Sequence, residues 1–186
     1  MEDLQIVELY WQRSEAAIAE SAAKYGGYCQ NIAYGILRNV PDAEECVSDT
    51  WLRAWNAIPP ERPRKLAAFL GKITRNLSLD RLRKNTAKFR GGDQVQLALE
   101  ELETTIPAGE SPERLAEEAE LVQCLEVFLH SLSREKRHVF LLRYWYFRPV
   151  QEIAWQLHMS ESKVTSMLFR IRKELKQHLE KEGIGL

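Results

Sequence analysis

Two runs of polar residues at helical spacing carry the chemistry legible in this chain. In the first, Phe69-Leu-Gly-Lys-Ile-Thr-Arg-Asn-Leu-Ser-Leu-Asp-Arg-Leu-Arg-Lys84, the outer side of a helix would present Lys72, Arg75, Asn76, Asp80, Arg83 and Lys84. Bases of this kind hold phosphates without regard to sequence, whereas an amide such as Asn76 can read the edge of a base that has left its stack. Asp80 stands alone among bases, and either pairs within the helix with Arg83 or Lys84 or meets nucleic acid itself. The second run comprises Ser160, Glu161, Ser162, Lys163, Thr165 and Ser166, followed by Arg170, Arg172 and Lys173. Short or flexible groups on the first turns of a helix suit base edges and phosphates, and the later bases suit the backbone. A helix N-terminus itself favours a nearby phosphate.

No other constellation competes. The four histidines and three cysteines show neither metal-ligand spacing nor a nucleophile motif, so no catalytic residue, metal or cofactor is expected. Cys29, Cys46 and Cys124 are scattered and odd in number, and apolar helix faces are their expected homes. No apolar run approaches the roughly 20 residues that span a bilayer. The start, Met1-Glu-Asp-Leu, carries acid where an export signal wants base. No membrane insertion and a cytoplasmic location are the expectations.

The formal net charge of −1 conceals a strong segregation. Ten Lys/Arg face one acid, Asp80, between Arg62 and Arg90, and nine acids face one base, Arg114, between Gly91 and Glu120. From His130 to His178 the bases lead again, ten to four. Two basic blocks joined by an acidic stretch point to two separate nucleic-acid surfaces. Beside the first block, Asp42, Glu44, Glu45 and Asp49 form an acidic face that repels DNA and suits a basic protein partner.

The elements that must position these groups are all helical, and no strand pattern holds anywhere. Residues 4–24 have helical spacing, and a second helix is expected over Tyr28 to Leu37. Asp42, with Glu45 three residues on, reads as the N-cap of a helix over Ala43 to Ile58 that Pro59-Pro60 stops. The next helix, about Lys65 to Lys84, turns Leu66, Phe69, Leu70, Ile73 and Leu77 inward. Periodicity fails over 85–112, where Gly91-Gly92, Pro107, Gly109 and Pro112 among many glutamates fit a flexible acidic linker with one short helical piece. Helices over Glu113 to Leu129, Glu135 to Phe147, Val150 to Leu157 and Glu161 to Lys181 complete the chain. The last two form a helix-turn-helix, with Val164, Leu168, Ile171 and Leu175 locking onto Ile153, Ala154 and Leu157, and Ser160 as N-cap. The expected architecture is all-α: a first domain over 1–88, an acidic linker over 89–112 and a helix-turn-helix domain over 113–183.

Three segments in this order resemble a known family, the extracytoplasmic-function (group 4) sigma factors of the sigma-70 family of bacterial RNA polymerase. Asn39-Val-Pro-Asp-Ala-Glu-Glu-Cys-Val-Ser-Asp-Thr-Trp-Leu-Arg-Ala-Trp55 is similar to the family helix that docks on core polymerase. The segment from Ala68 to Arg83 is similar to the helix that melts and reads the −10 promoter element. Leu132-Ser-Arg-Glu-Lys-Arg-His-Val-Phe140 with the following helix-turn-helix resembles the −35 reader.

The resemblance spans roughly residues 20–85 and 113–180. It implies a core-docking set of Asp42, Glu45, Asp49, Trp51 and Arg53, a −10 set drawn from the first run, and a −35 set drawn from the second. It also implies RNA polymerase core and promoter DNA as partners, and an anti-sigma protein is typical of the group. The chain departs from the family pattern at Ser48, commonly Gln, at Phe69, commonly Trp, and at His158, often Gly. Ser162-Lys-Val-Thr-Ser-Met167 also replaces a frequent Gly-Thr-Val-Lys-Ser-Arg. The alternatives are a helix-turn-helix regulator acting alone on duplex operators, and a sigma-like decoy without promoter activity.

Overall fold

The computed structural model describes residues 1–87, 94–103, 105 and 114–184. Gly91-Gly92, Pro107, Gly109 and Pro112, expected in the linker, lie outside the described residues. Among those described, all regular structure is helical, and the chain divides into two compact units, Met1–Gly91 and Gly92–Leu186.

The first unit packs α1 (Asp3–Trp11), α2 (Ala16–Leu37), α3 (Val40–Ala57) and α4 (Leu66–Ala87). The single helix expected over 4–24 is broken: Arg13 takes a left-handed φ of 55°, and the chain turns there before α2 runs unbroken to Leu37. That turn lets α1 deliver Ile6, Val7 and Tyr10 into the core with Ala17, Cys29, Ala54, Ile58, Leu66 and Leu70. The Tyr10 hydroxyl, carried inside, meets the Ser21 hydroxyl at 3.0 Å, as a buried polar group must find a partner. Deeper between α3 and α4, the hydroxyls of Thr50 and Thr74 meet at 3.0 Å.

The cap of α3 corrects the sequence reading. Asn39 is the N-cap, its side chain accepting from the Asp42 amide at 2.9 Å, and Pro41 sits in the first turn. Proline gives up only an amide that the first turn leaves unpaired anyway, so the helix begins ahead of Asp42 and frees its carboxylate for other work.

The second unit holds α5 (Gln94–Glu103), α6 (Arg114–Ser131), α7 (Arg134–Phe140), α8 (Val150–Gln156) and α9 (Glu161–Lys181). α7 continues into one π-helical turn, Leu141–Trp145, which buries Leu142, Arg143 and Tyr144 together. Val164, Leu168, Ile171, Leu175 and Leu179 form the buried stripe of α9, with Ile153 and Ala154 of α8 buried as well. Ser160 caps α9 as expected, accepting from the Lys163 amide at 3.2 Å. The joint ahead of it carries His158 at φ 53°, a left-handed position that costs a β-carbon residue about 1 kcal/mol. All three cysteines are buried and unbridged, and burial pushes each thiol pKa up.

The short helical piece of the expected linker is α5, and it packs within the second unit. Val95 and Ala98 are buried, and Glu101 gathers three partners. Arg143 grips its carboxylate with two nitrogens, Nη2 to Oε1 at 2.6 Å and Nε to Oε2 at 3.2 Å. The Tyr144 hydroxyl donates to Oε2 at 3.0 Å, and Arg172 Nη1 approaches Oε2 at 3.3 Å. Burial raises the Glu101 pKa, but Arg143, Tyr144 and Arg172 outweigh it and hold the carboxyl below its ordinary 4.5.

Two predictions follow from this packing. Ile6→Ala removes a side chain with no exposed surface, so it destabilises the first unit by about 3 kcal/mol, to be measured by amide exchange across α1–α4 in rising denaturant. For α5, a depressed folded pKa means the ion pair contributes fully above 4.5 and is lost as pH falls through the lower folded value. Amides of Gln94–Glu103 therefore lose protection as pH falls below 4.5, while moving from pH 5 to 7 changes nothing.

Candidate nucleic-acid interface

Leu66 and Leu70 are driven inside with Thr74 and Ser78, so the opposite side of α4 has to face solvent. That side carries Lys72, Asn76, Asp80 and Arg83 at intervals of four, four and three, with Lys84 exposed beside them. Arg83 Nη1 reaches Asp80 Oδ1 at 3.5 Å, a pair exposed on both sides and therefore weak; Asp80 stays presented. Arg75 stands apart from this row. It is half-buried, and burial lowers its guanidinium pKa.

Arg81 had no role in the sequence reading, and the structure gives it a prominent one. Its Nη2 and Nε both meet Asp42 Oδ1, at 2.9 and 3.1 Å, and Nη2 meets Glu45 Oε2 at 2.5 Å. Asn85 Nδ2 donates to the other Asp42 oxygen at 3.1 Å. The Arg81 hydrogen bond holds the Glu45 carboxyl below its usual pKa. Two of the five expected docking residues are thus tied to α4. The signal was the spacing: Arg81 follows Asp80 of the exposed row by one residue, which turns it towards α3.

Trp51 is half-buried and packs against the core of the first unit. Asp49 and Arg53 remain exposed on α3, and between them lies Leu52, 59 % exposed. Charge patterning carries no signal for Leu52, which bears none. An apolar residue one position past Trp51, off the buried stripe, was the available signal.

On α9 the buried stripe turns Ser162, Thr165, Ser166, Arg170 and Lys173 outward, with Ser160, Glu161 and Lys163 exposed at the helix start. Lys163 Nζ lies 3.2 Å from Glu135 Oε1, again an exposed pair. Phe169 joins this face at 62 % exposure. A phenyl ring there can lie against a thymine methyl in the major groove. Arg172 leaves the face: it is held by Glu101 and by the Tyr144 hydroxyl at 2.7 Å. Tyr144 and Phe147 are buried, in keeping with their being core groups rather than base-stacking ones.

What the two surfaces can do follows from their groups. The α4 row combines cations for phosphate with one amide and one carboxylate for exposed base edges. The α9 face is short-chained, cation-edged and on a helix narrow enough for the major groove.

Residues 22–88 match the family model described as sigma-70 region 2, and residues 122–175 match that of sigma-70 region 4. The chain is 29 % identical over 156 residues to the probable RNA polymerase sigma factor RfaY of Xanthomonas campestris, covering 81 % of this chain and 38 % of that protein. It is 27 % identical over 152 residues to the ECF RNA polymerase sigma factor SigE of Mycolicibacterium smegmatis, covering 82 % and 57 %. For the ECF RNA polymerase sigma factor SigW of Bacillus subtilis the identity is 25 % over 166 residues, covering 88 % and 89 %. The chain thus spans well under two thirds of the first two relatives and most of the third. With region 2 and region 4 matched in order on the two helical units, the chain belongs to the sigma-70 family, in its extracytoplasmic-function group.

Proposed function

We propose that this chain is a dissociable specificity subunit of bacterial RNA polymerase, directing promoter recognition, local melting and initiation. The observation that carries the reading is the pairing of two outward rows: Lys72-Asn76-Asp80-Arg83 on the region 2 match, and Ser162-Thr165-Ser166-Phe169-Lys173 on the region 4 match. Residues 1–88 dock on core polymerase and read the −10 element, and residues 113–183 read the −35 element. The acidic stretch over 89–112 joins them.

The division of labour follows from the groups. Asp49, Leu52 and Arg53 form the partner face of α3, with Asp42 and Glu45 completing its charge while Arg81 fixes their direction. Lys72, Arg83 and Lys84 hold the backbone of a melted strand, and Asn76, with Asp80 beside it, reads an extruded base. Unpairing costs a few kcal/mol, offset by contacts to phosphate and base. On duplex DNA, Ser162, Thr165, Ser166 and Phe169 face base edges, while Lys163, Arg170 and Lys173 meet phosphates. The polymerase performs the bond-making chemistry and this chain supplies none.

Binding polymerase and promoter places the protein in the cytoplasm. An anti-sigma protein would act by covering these faces. No helix among the described residues is long and apolar enough to cross a membrane, which supports a reading without membrane insertion.

The test is run-off transcription from a genomic library with purified core polymerase, with and without this protein. Discrete new transcripts support the reading; core binding without transcripts points to a decoy, and no core binding overturns it. In the same assay, Asn76→Ala lowers transcript yield about tenfold or more and leaves binding to −35 duplex unchanged. Leu52→Asp, a change on an exposed position, leaves thermal stability within about 0.5 kcal/mol and abolishes co-purification with core.

A further inference from the structure

α5 is an acidic helix whose Glu101 sits between two guanidinium groups. Arg143 forks onto Glu101 with Nε and Nη2, the geometry that a guanidinium also offers to phosphate oxygens. Arg172 brings a second guanidinium to the same oxygen and lies on α9 itself, one residue before Lys173 of the outward face. The Tyr144 hydroxyl bridges them, donating to Glu101 and standing 2.7 Å from Arg172. Arg143 is also anchored by the Arg148 carbonyl at 2.9 Å, so without the carboxylate its Nε and Nη2, the Arg172 guanidinium and the Tyr144 hydroxyl would lose a shared anionic partner.

The helix that fills this place is lightly held. Its buried apolar groups are small, Val95 and Ala98, while Leu97 and Leu99 are largely exposed. Ten residues are too few to stay helical alone in water. Docking therefore leans on the Glu101 ion network, with Gln94 Oε1 accepting from Arg143 Nη1 at 3.2 Å beside it, and an anion that competes for the same cations weakens it. Such elements open at the low end of a protein's stability range.

We propose that α5 is a releasable cis-competitor of DNA, with Glu101 occupying Arg172 and Arg143 until a backbone phosphate of bound duplex replaces it. The proposal rests on the reading of α9 as the duplex-facing helix. Because the two ligands exclude each other, the coupling is reciprocal: DNA loosens α5, and loosening α5 strengthens DNA binding.

The full chain is titrated with a short B-form duplex across a salt series, and amide exchange is followed over Gln94–Glu103. Two variants release α5 by different routes. Glu101→Gln removes the charge with little change in shape, and Ala98→Gln places a larger neutral side chain where none fits, leaving Glu101 intact. In both, α5 amides exchange faster while those of α9 do not. Duplex affinity rises about 3- to 10-fold near 0.1 M salt, and the salt dependence steepens by about one phosphate contact. Adding Arg172→Gln to either variant removes most of the gain. In the unaltered protein, saturating duplex speeds α5 exchange.

Amides of α5 that stay protected in both variants, or affinity that stays put once they open, overturn the proposal. So does a gain that survives loss of Arg172. The duplex assay needs no polymerase, so failure of the transcription test with a positive result here would sink the sigma reading and leave the competitor standing.

Discussion

Every outward-facing group in this molecule takes its direction from a buried stripe on the other side of its own helix. A helix cannot turn one face without turning the whole. Once Leu66 and Leu70 of α4 are sealed against Ile6, Tyr10 and Ile58, the positions of Lys72, Asn76, Asp80 and Arg83 are settled to within a side-chain rotamer. The same holds on α9, where Val164, Leu168, Ile171 and Leu175 inside leave Ser162, Thr165, Phe169 and Lys173 outside. Core packing is thus the scaffold of recognition, because side chains in a dense interior have few alternative arrangements. It also gives α1, which lies ahead of the region 2 match, a part in setting the direction of α4. It adds three buried side chains to the core that aims α4.

Ion pairs then decide which of the surface charges remain available. Counted along the chain, the first basic block offers ten cations, but Arg81 faces α3 and Arg75 is half-buried. Arg143 and Arg172 of the last block are likewise engaged with Glu101. Asp42 and Glu45, drawn towards Arg81, bind α3 to α4 through a partly buried network. A network of this kind ties the acidic first turns of α3 to the helix that carries Asn76. Exposed pairs such as Arg83–Asp80 and Lys163–Glu135 impose no such constraint, since solvent screens them.

The fold was legible wherever apolar spacing was regular. The inward residues of α4, the stripe of α9 and its Ser160 cap all stand where periodicity put them. The errors arose where a local rule had a rival nearby. Asp42 is a good cap by type, but Asn39 is equally good and stands ahead of Pro41, so the earlier residue won. The single helix expected over 4–24 hid a turn at Arg13, since no Gly or Pro marks it. For the site, the exposed row of α4 was readable from spacing alone. Leu52 and Phe169 were not, because a search for charges overlooks an apolar group on a polar face. The partners of Arg81, Glu101 and Arg172 lie 28 to 71 residues away in sequence, and no periodicity reaches that far.

The segregated charge of the chain acquires a physical meaning from α5. A protein with two cationic reading surfaces would bind any DNA through counterion release, regardless of sequence. Acidic residues elsewhere on the surface lower that tendency only through a long-range field, screened beyond roughly 8 Å in physiological salt. An acid held in hydrogen-bond contact with the cations acts inside that screening distance, so a single carboxylate at Glu101 offsets more than a distant one can. Folding part of the acidic stretch onto the basic unit therefore converts a net charge of −1 from an average into a local balance. If α9 faces duplex as proposed, phosphates presented in register along it would outcompete that carboxylate by bringing several contacts at once, whereas an isolated anion brings one. Under the proposed competition, the balance would favour a correctly seated duplex over a passing phosphate with no additional residue contacting a base.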